Sequence, residues 1–305
     1  MELFCWILVA RRSERKGCQK GKTFARIFFF NFSGLCQDFG EKDGYCAHVD
    51  LKKNRTCAVV RGIQTSETGT ICFVKPASEQ IMTSQELSKL LIQSGALKFG
   101  SFETKSGRQS PFFLNFGDIC DGKSMDHLAD LYAASIMQKM DSLPDVIFGP
   151  AYKGIPLAVA IASALSRRSG APVSFAFDRK EAKDHGEGGQ IVGRQIAPHH
   201  RVVIVDDVLT SGISVRHSLD CVGRTGCKVL GIMIGVDRCE LPANGQAGKT
   251  AAESISNDSG IEVHSLATVG DVISAVNSDE HLKSTAGLTP QILESVAEYR
   301  RKFAR

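Results

Sequence analysis

The sequence predicts an α/β protein, a central mostly parallel sheet with helices on both faces. Two observations carry this. Short continuous apolar runs recur at residues 145–148, 173–177, 201–205, 228–236 and 261–267. Between them lie stretches with apolar residues at helical spacing. Continuous apolar strands alternating with helices are what a sheet buried on both faces requires. At 305 residues, with 43% hydrophobic and 23% charged residues, the chain has ordinary globular composition.

The elements follow in order. Residues 1–81 show no sustained period of 2 or 3.6 and no repeat, so no fold is assigned to them. The pattern changes at Met82. Thr83 and Glu86 have the spacing of a capping box, followed by Leu87, Leu90 and Leu91 on one face and Gly95 as a stop. Residues 98–116 alternate aromatic and polar side chains around Ser106-Gly107-Arg108, the pattern of a hairpin. Residues 124–140 form an amphipathic helix with Leu128, Leu131, Tyr132 and Ile136 inward. Pro156, at the favoured first position, opens a helix that runs to about residue 168. A helix over 213–224 follows the strand at 201–205, and a short one over 271–276 follows the last strand. Thr289-Pro290 caps a final helix to Phe303. Two segments break the rhythm. Residues 178–193 are polar, charged and glycine-rich, the composition of a mobile functional loop. Residues 241–260 read as a surface excursion.

Charge and cysteine usage exclude several classes. The formal net charge is +4, and the excess lies before residue 82, leaving the main body almost balanced. A basic nucleic-acid-binding surface is therefore not its theme. Cys5, Cys18, Cys36, Cys46, Cys57 and Cys72 precede Met82, and Cys120, Cys221, Cys227 and Cys239 follow it. No C-x-x-C pair occurs, which argues against structural zinc. The later four sit among apolar or small residues and read as buried free thiols in a reducing compartment, the cytoplasm. No apolar run approaches the ~18 residues of a membrane span. The cluster Arg11 to Lys16 comes after the short apolar start, the wrong order for a secretory signal. Residues 1–81 are expected to be an extension, either a presequence or a stretch wrongly included in the reading frame. Residues 82–305 are expected to be the functional domain.

The sharpest chemical signal runs from Arg201 to Gly212. A β-forming stretch enters Asp206 and Asp207, then a small hydroxyl-rich turn, then a helix. In a parallel sheet this puts two carboxylates at the carboxyl edge, where ligands bind. The turn and helix start aim free N–H groups at one point, which suits a phosphate. Carboxylates beside a phosphate site suit ribose hydroxyls, or Mg²⁺ held through water. Alone, the Asp-Asp pair would be an acidic turn in solvent as often as a site.

The segment 203–214 resembles the phosphoribosyl-pyrophosphate (PRPP) motif of type I phosphoribosyltransferases. Phe99 to Asn115, Phe148-Gly-Pro-Ala-Tyr152-Lys153-Gly-Ile-Pro, and Asp178-Arg179-Lys180-Glu-Ala-Lys183-Asp-His185-Gly-Glu-Gly-Gly narrow the resemblance to orotate phosphoribosyltransferases. It covers about residues 83–305. The resemblance implies the type I phosphoribosyltransferase fold, with a small N-terminal hood and a mobile catalytic loop. It implies orotate plus PRPP giving orotidine 5′-monophosphate and pyrophosphate, in pyrimidine biosynthesis. Mg²⁺ would be held mainly through PRPP and water, with no direct protein ligand. The catalytic residues implied are Lys183, His185, Asp206 and Asp207. PRPP contacts are implied for Lys105, Tyr152, Lys153, Arg179, Lys180, Lys183, His185 and the run Asp206, Asp207, Val208, Leu209, Thr210, Ser211, Gly212, Ile213 and Ser214. Orotate contacts are implied for Phe113, Leu114, Thr210 and Arg238, the last on the carboxylate. The family pattern often has two aromatics where this chain has Phe113-Leu114. The family also shares sites across a homodimer, the loop reaching the neighbour; Gly186, Gly188 and Gly189 would let it open and close. No nucleic acid or membrane is expected as a partner.

Two other classes share part of this pattern. A purine or uracil phosphoribosyltransferase would keep the motif at Asp206 but not Lys183, His185 and Arg238. A PRPP-sensing regulator would add a DNA-binding module, and residues 1–81 show neither helix-turn-helix pattern nor zinc spacing. His127, His199 and His200 have no metal-like spacing and read as surface or packing residues.

Overall fold

The computed structural model describes residues 77–104, 107–179, 190–241 and 248–304, together with four short strands upstream. The chain divides into two units, Met1–Glu79 and Gln80–Arg305. In the first, β1 (Phe29–Phe30) pairs antiparallel with β2 (Cys36–Gln37), and β3 (Ile63–Thr65) with β4 (Ile71–Phe73).

The helix α1 spans Ala77–Gln93, all but its first three residues in the second unit. It starts before Met82, so Thr83 and Glu86 lie within the helix and do not cap it. The helix-forming run Ala77-Ser78-Glu79-Gln80 after Pro76 outweighs the cap spacing. Gly95 does end the helix, with φ +71°. A hairpin follows, β5 (Leu97–Glu103) against β6 (Gln109–Leu114). A short 3₁₀ turn, Phe116–Asp118, leads to α2 (Gly122–Lys139), whose first amides at Lys123 and Ser124 are capped by the Asp121 carboxylate.

Next come β7 (Val146–Gly149), α3 (Gly154–Ser169), β8 (Ser174–Asp178), β9 (Ile191–Gly193), β10 (Arg201–Leu209), α4 (Ile213–Gly223) and β11 (Lys228–Asp237). The chain ends with α5 (Ala251–Ser259), β12 (Val263–Thr268), α6 (Val269–Ser278), α7 (Glu280–Thr285) and α8 (Pro290–Phe303). The central sheet has the order β12-β11-β10-β7-β8-β9. Every pairing in it is parallel except β8 with β9.

The mostly parallel, doubly covered sheet is as the sequence predicts, and Thr289 caps α8 with Pro290 first. Several boundaries differ. Pro156 is the third residue of α3, because the turn after β7 already closes at Gly154. Asp178 and residues 191–193, assigned to one long loop, belong to strands. The excursion at 241–260 contains α5, whose Thr250 and Glu253 form a true capping box and whose Ile255 is buried. Cys221 is buried as expected, but Cys227 and Cys239 are partly exposed and Cys120 is exposed. Cys120 lies in the turn before α2, outside the core packing.

Strand alternation sorts the core. On β10, Val202 and Ile204 pack with Val215 and Val222 of α4 and Ile255 of α5. Val203 and Val205 face the other way, into the cluster holding Leu128 and Tyr132 of α2 and Leu157 and Ile161 of α3. The sheet edge opposite the site is pinned by Asp145 and Arg201. Two guanidinium contacts of 3.0 and 2.8 Å join them, and the Arg201 side chain holds the Asp145 carboxyl down at about 2. Among the described residues, no helix is long and apolar enough to cross a membrane.

Candidate active site

Parallel pairing puts the carboxyl ends of β7, β8, β10 and β11 on one edge. In such sheets that edge is where ligands bind. Four of the segments singled out in the sequence meet there: the turn 150–153 after β7, Asp178 and Arg179 at the end of β8, the turn 210–212 after β10, and Arg238 after β11.

β10 runs four residues beyond the predicted Val205, so Asp206 and Asp207 sit inside the strand near its end. Successive strand residues point to opposite faces. Asp206 therefore turns toward α4 and Asp207 toward α3, and their partners agree. Asp206 accepts from the Ser214 hydroxyl at 2.6 Å and from the Asp207 amide at 2.9 Å. Asp207 accepts from the Val208 amide at 2.8 Å and pairs with Lys153 at 3.2 Å. Both residues are buried, and the Asp207 side chain is 12% exposed. Burial first, and the neighbouring Asp207 charge second, push the Asp206 carboxyl well above the usual carboxylate range.

The backbone under the pair is held from behind. The buried Tyr132 hydroxyl donates to the Asp206 carbonyl at 2.8 Å. Burial raises the Tyr132 phenol well above its ordinary value, so it remains a donor. Gly235 on β11 makes room for this contact. A Cβ there would stand 2.6 Å from both the Asp207 carbonyl oxygen and the Tyr132 hydroxyl.

Beyond the carboxylates, Leu209 is buried in the core, so only its backbone faces the edge. Thr210, Ser211 and Ser214 are exposed. Gly212 is left-handed at φ +75° and begins α4 with no side chain bonded over the helix start. The leading amides thus carry no side-chain cap, the arrangement that accepts an anion. Ile213 is 73% exposed, so its side chain is turned from the core.

The turn after β7 is drawn tight by two glycines. A Cβ on Gly149 would overlap the Gly154 carbonyl, and one on Gly154 would lie 2.6 Å from Pro150 Cδ. The Ala151–Tyr152 peptide is cis. Tyr152 is exposed, and Lys153 precedes α3 and faces Asp207. Beside Lys153 a cavity of about 420 Å³ opens between the turn 116–122 and the start of α3.

The predicted base-binding residues do not act alike. Phe113 is 44% exposed and its ring lies 5.5 Å from Phe102, while Leu114 points the other way into the core. Strand alternation lets only one of the two offer a side chain to a ligand. Arg238 is buried, 4.7 Å above the Phe112 ring. Glu240 takes its Nε at 2.8 Å and its Nη2 at 2.6 Å. Glu240 in turn accepts from the Tyr299 hydroxyl at 2.9 Å. A guanidinium has five donors, so the fork retains capacity for a second carboxylate. Lys105, Lys180, Lys183 and His185, with Gly186, Gly188 and Gly189, lie outside the described residues. Arg179 is described, its amide donating to the Gln190 carbonyl at 2.9 Å.

Sequence reasoning missed Asp178, His217, Tyr132 as a backbone prop, and Glu240. Asp178 was visible only as the first letter of a cationic loop. Tyr132 was read as core, which it also is. Among the histidines, His200 is buried and its Nδ1 accepts from the Ala197 amide at 3.0 Å, the packing role expected of it.

A parallel sheet with paired carboxylates and an uncapped phosphate-type turn at one edge defines a phosphoribosyltransferase. The family model for the phosphoribosyl transferase domain matches residues 118–266. An orotate phosphoribosyltransferase of Bifidobacterium adolescentis is 37% identical over 222 residues, covering 71% of this chain and 95% of that protein. One from Janthinobacterium sp. (strain Marseille) is 41% identical over 223 residues, covering 72% and 96%. The crystal structure of orotate phosphoribosyltransferase from Francisella tularensis superimposes with a TM-score of 0.59 at 31% identity, covering 71% of this chain and 98% of that one. The chain belongs to the orotate phosphoribosyltransferase family.

Proposed function

We propose that the protein transfers the ribose 5-phosphate group of PRPP to orotate, giving orotidine 5′-monophosphate and pyrophosphate. The observation that carries this is β10 with its turn: two buried carboxylates, then an uncapped helix start, on the edge that also holds Lys153 and Arg238. The C1–O bond to pyrophosphate breaks as the C1–N bond to orotate forms, through an oxocarbenium-like state. No nucleophilic side chain is needed, so catalysis is positioning and charge stabilisation. The 210–214 turn holds the 5′-phosphate. Asp206 and Asp207, from the two faces of β10, flank the ribose, where negative charge favours the developing cation. Lys153 leaves Asp207 for the pyrophosphate, joined by Tyr152, Arg179 and the cations of 180–185. Arg238, sharing its fork with Glu240, takes the orotate carboxylate.

Among the described residues, no group of three or more His, Cys, Asp and Glu could hold a metal ion. With Asp206 and Asp207 on opposite faces of β10 the carboxylates do not converge on one ion, which fits Mg²⁺ held mainly through PRPP and its own waters. Such an ion would neutralise part of the departing charge.

Three further readings accompany this one. The protein acts as a homodimer with sites completed by the partner's 180–189 segment. It works in the cytoplasm, in keeping with four free thiols in the catalytic unit. The residues before α1 lie outside the catalytic domain.

Product analysis with PRPP and orotate, hypoxanthine or uracil tests the reading. Orotidine 5′-monophosphate should form with a kcat/KM at least a hundredfold above the other two bases. Preference for a purine or uracil would move the chain to a sister class. PRPP binding without turnover, coupled to DNA binding, would make it a regulator.

A further inference from the structure

Asp178 ends β8 and is only 4% exposed. A buried carboxylate is costly unless its oxygens are matched. Here each oxygen meets a different functional segment. Oδ1 accepts from the Ala151 amide, just before Tyr152 and Lys153. Oδ2 lies 3.2 Å from His217 Nε2, on the first turns of α4. The same nitrogen is 3.3 Å from the side-chain amide of Gln190. Gln190 closes the 180–189 segment, and its carbonyl accepts from the Arg179 amide at 2.9 Å.

The hydrogen bonding is determined by chemistry. A carboxylate offers only acceptors, so His217 must carry hydrogen on Nε2. That single hydrogen goes to Asp178, so the side-chain nitrogen of Gln190 packs against the imidazole nitrogen at 3.3 Å without taking a hydrogen from it. One carboxylate therefore fixes the backbone ahead of Lys153 and holds the imidazole against which Gln190, at the base of the cationic segment, packs. Neither contact involves Phe113 or Arg238, the residues proposed for orotate.

We propose that Asp178 is a positioning residue for pyrophosphate, setting the 151–153 turn directly and Gln190 through His217. This rests on the phosphoribosyl-transfer reading above.

The test compares the full chain with its Asp178→Ala, Asp178→Asn and His217→Ala variants. Each is assayed forward and in the pyrophosphorolysis of orotidine 5′-monophosphate. Losing a buried acceptor of this kind typically costs about tenfold to a hundredfold in an equilibrium constant. Asp178→Ala should raise KM for PRPP and KM for pyrophosphate by that factor, with KM for orotate held within about threefold. Asp178→Asn keeps an acceptor for Ala151 and can donate to a neutral imidazole, so it should bring both values back within about fivefold of wild type. His217→Ala, on a half-exposed side chain, should give a smaller rise of the same selectivity. A fall in Tm with unchanged KM values, or an equal rise for orotate, would make Asp178 merely structural and overturn the proposal. If Asp178→Ala does not fold, His217→Ala decides: a selective rise supports the proposal and none overturns it. A wild-type chain that makes no orotidine 5′-monophosphate would instead overturn the reading beneath it, and the proposal with it.

Discussion

Lys153 Nζ lies 3.2 Å from Asp207 Oδ2, joining the turn after β7 to the carboxylate pair on β10 across the sheet edge. The lysine side chain is half exposed and the carboxylate mostly buried. An ion pair with one exposed member is weak, so an arriving polyanion can take Lys153 at little cost. In the proposed reaction Asp207 would then face the ribose with its charge uncompensated as the cation develops.

Asp207→Asn should therefore lower kcat by about 10²–10³, the usual effect of losing one well-placed electrostatic group. The amide still accepts the Val208 N–H, so the fold persists. Steady-state kcat and a circular dichroism spectrum check both halves. A variant within about threefold of wild type would remove Asp207 from the catalytic set.

Asp206 links the site to stability through pH. Its carboxyl titrates higher in the folded protein than the ~3.9 of an unfolded aspartate, because it is buried beside Asp207. The folded state thus binds this proton more tightly. The stabilisation is full at low pH and is lost as pH rises from about 4 through the raised folded value. Asp206→Asn removes the titration while keeping a partner for Ser214 and for the Asp207 amide. Without substrates, the variant should melt above wild type at pH 8 and lose that advantage toward pH 5, while being nearly inactive. Melts at the two pH values read this directly; an advantage that grows toward acid would contradict it.

The N-terminal boundary can be tested by truncation. A chain beginning at Lys75 keeps α1 whole and should match the full chain in kcat within about twofold. One beginning at Met82 loses the first five residues of α1 and should melt lower. An inactive 75–305 chain beside an active full chain would show that residues 1–74 belong to the enzyme.

Shared sites predict complementation. Lys183→Ala and Asp207→Asn subunits are mixed under conditions that exchange them. In a hybrid, the Lys183→Ala subunit keeps its own Asp207 and receives Lys183 from its partner. Random pairing makes about half the dimers hybrid, each with one complete site, so about a quarter of wild-type activity should return. Exchange confirmed by mass spectrometry without recovery would mean that Lys183 serves its own subunit.

Much of this architecture was legible because local signals were strong and unopposed. The apolar runs of β7, β10 and β11 have no helical period, and Thr289-Pro290 combines a cap with a helix-starting proline. Thr83 and Glu86 misled because the residues before them are also good helix formers, and spacing alone does not say where a helix begins. The real capping box at Thr250 and Glu253 was present but sat in a Gly/Ala/Ser/Asn-rich stretch that reads as loop. It is Ile255, packed under Gly212, that makes α5 hold. At the site, the paired aspartates and the turn were readable from sequence. That they face opposite sides of the sheet was not, since it follows from β10 running on to Leu209. The Asp178–His217 and Arg238–Glu240 contacts depend on strand order or on a turn, and no spacing in the sequence announces them.

The most direct test of the central claim follows PRPP by ³¹P NMR with the full chain, Mg²⁺ and orotate. Pyrophosphate and orotidine 5′-monophosphate should appear in equal amounts, and only when orotate is present. Pyrophosphate release without orotate, or an equal rate with uracil or hypoxanthine, would contradict it.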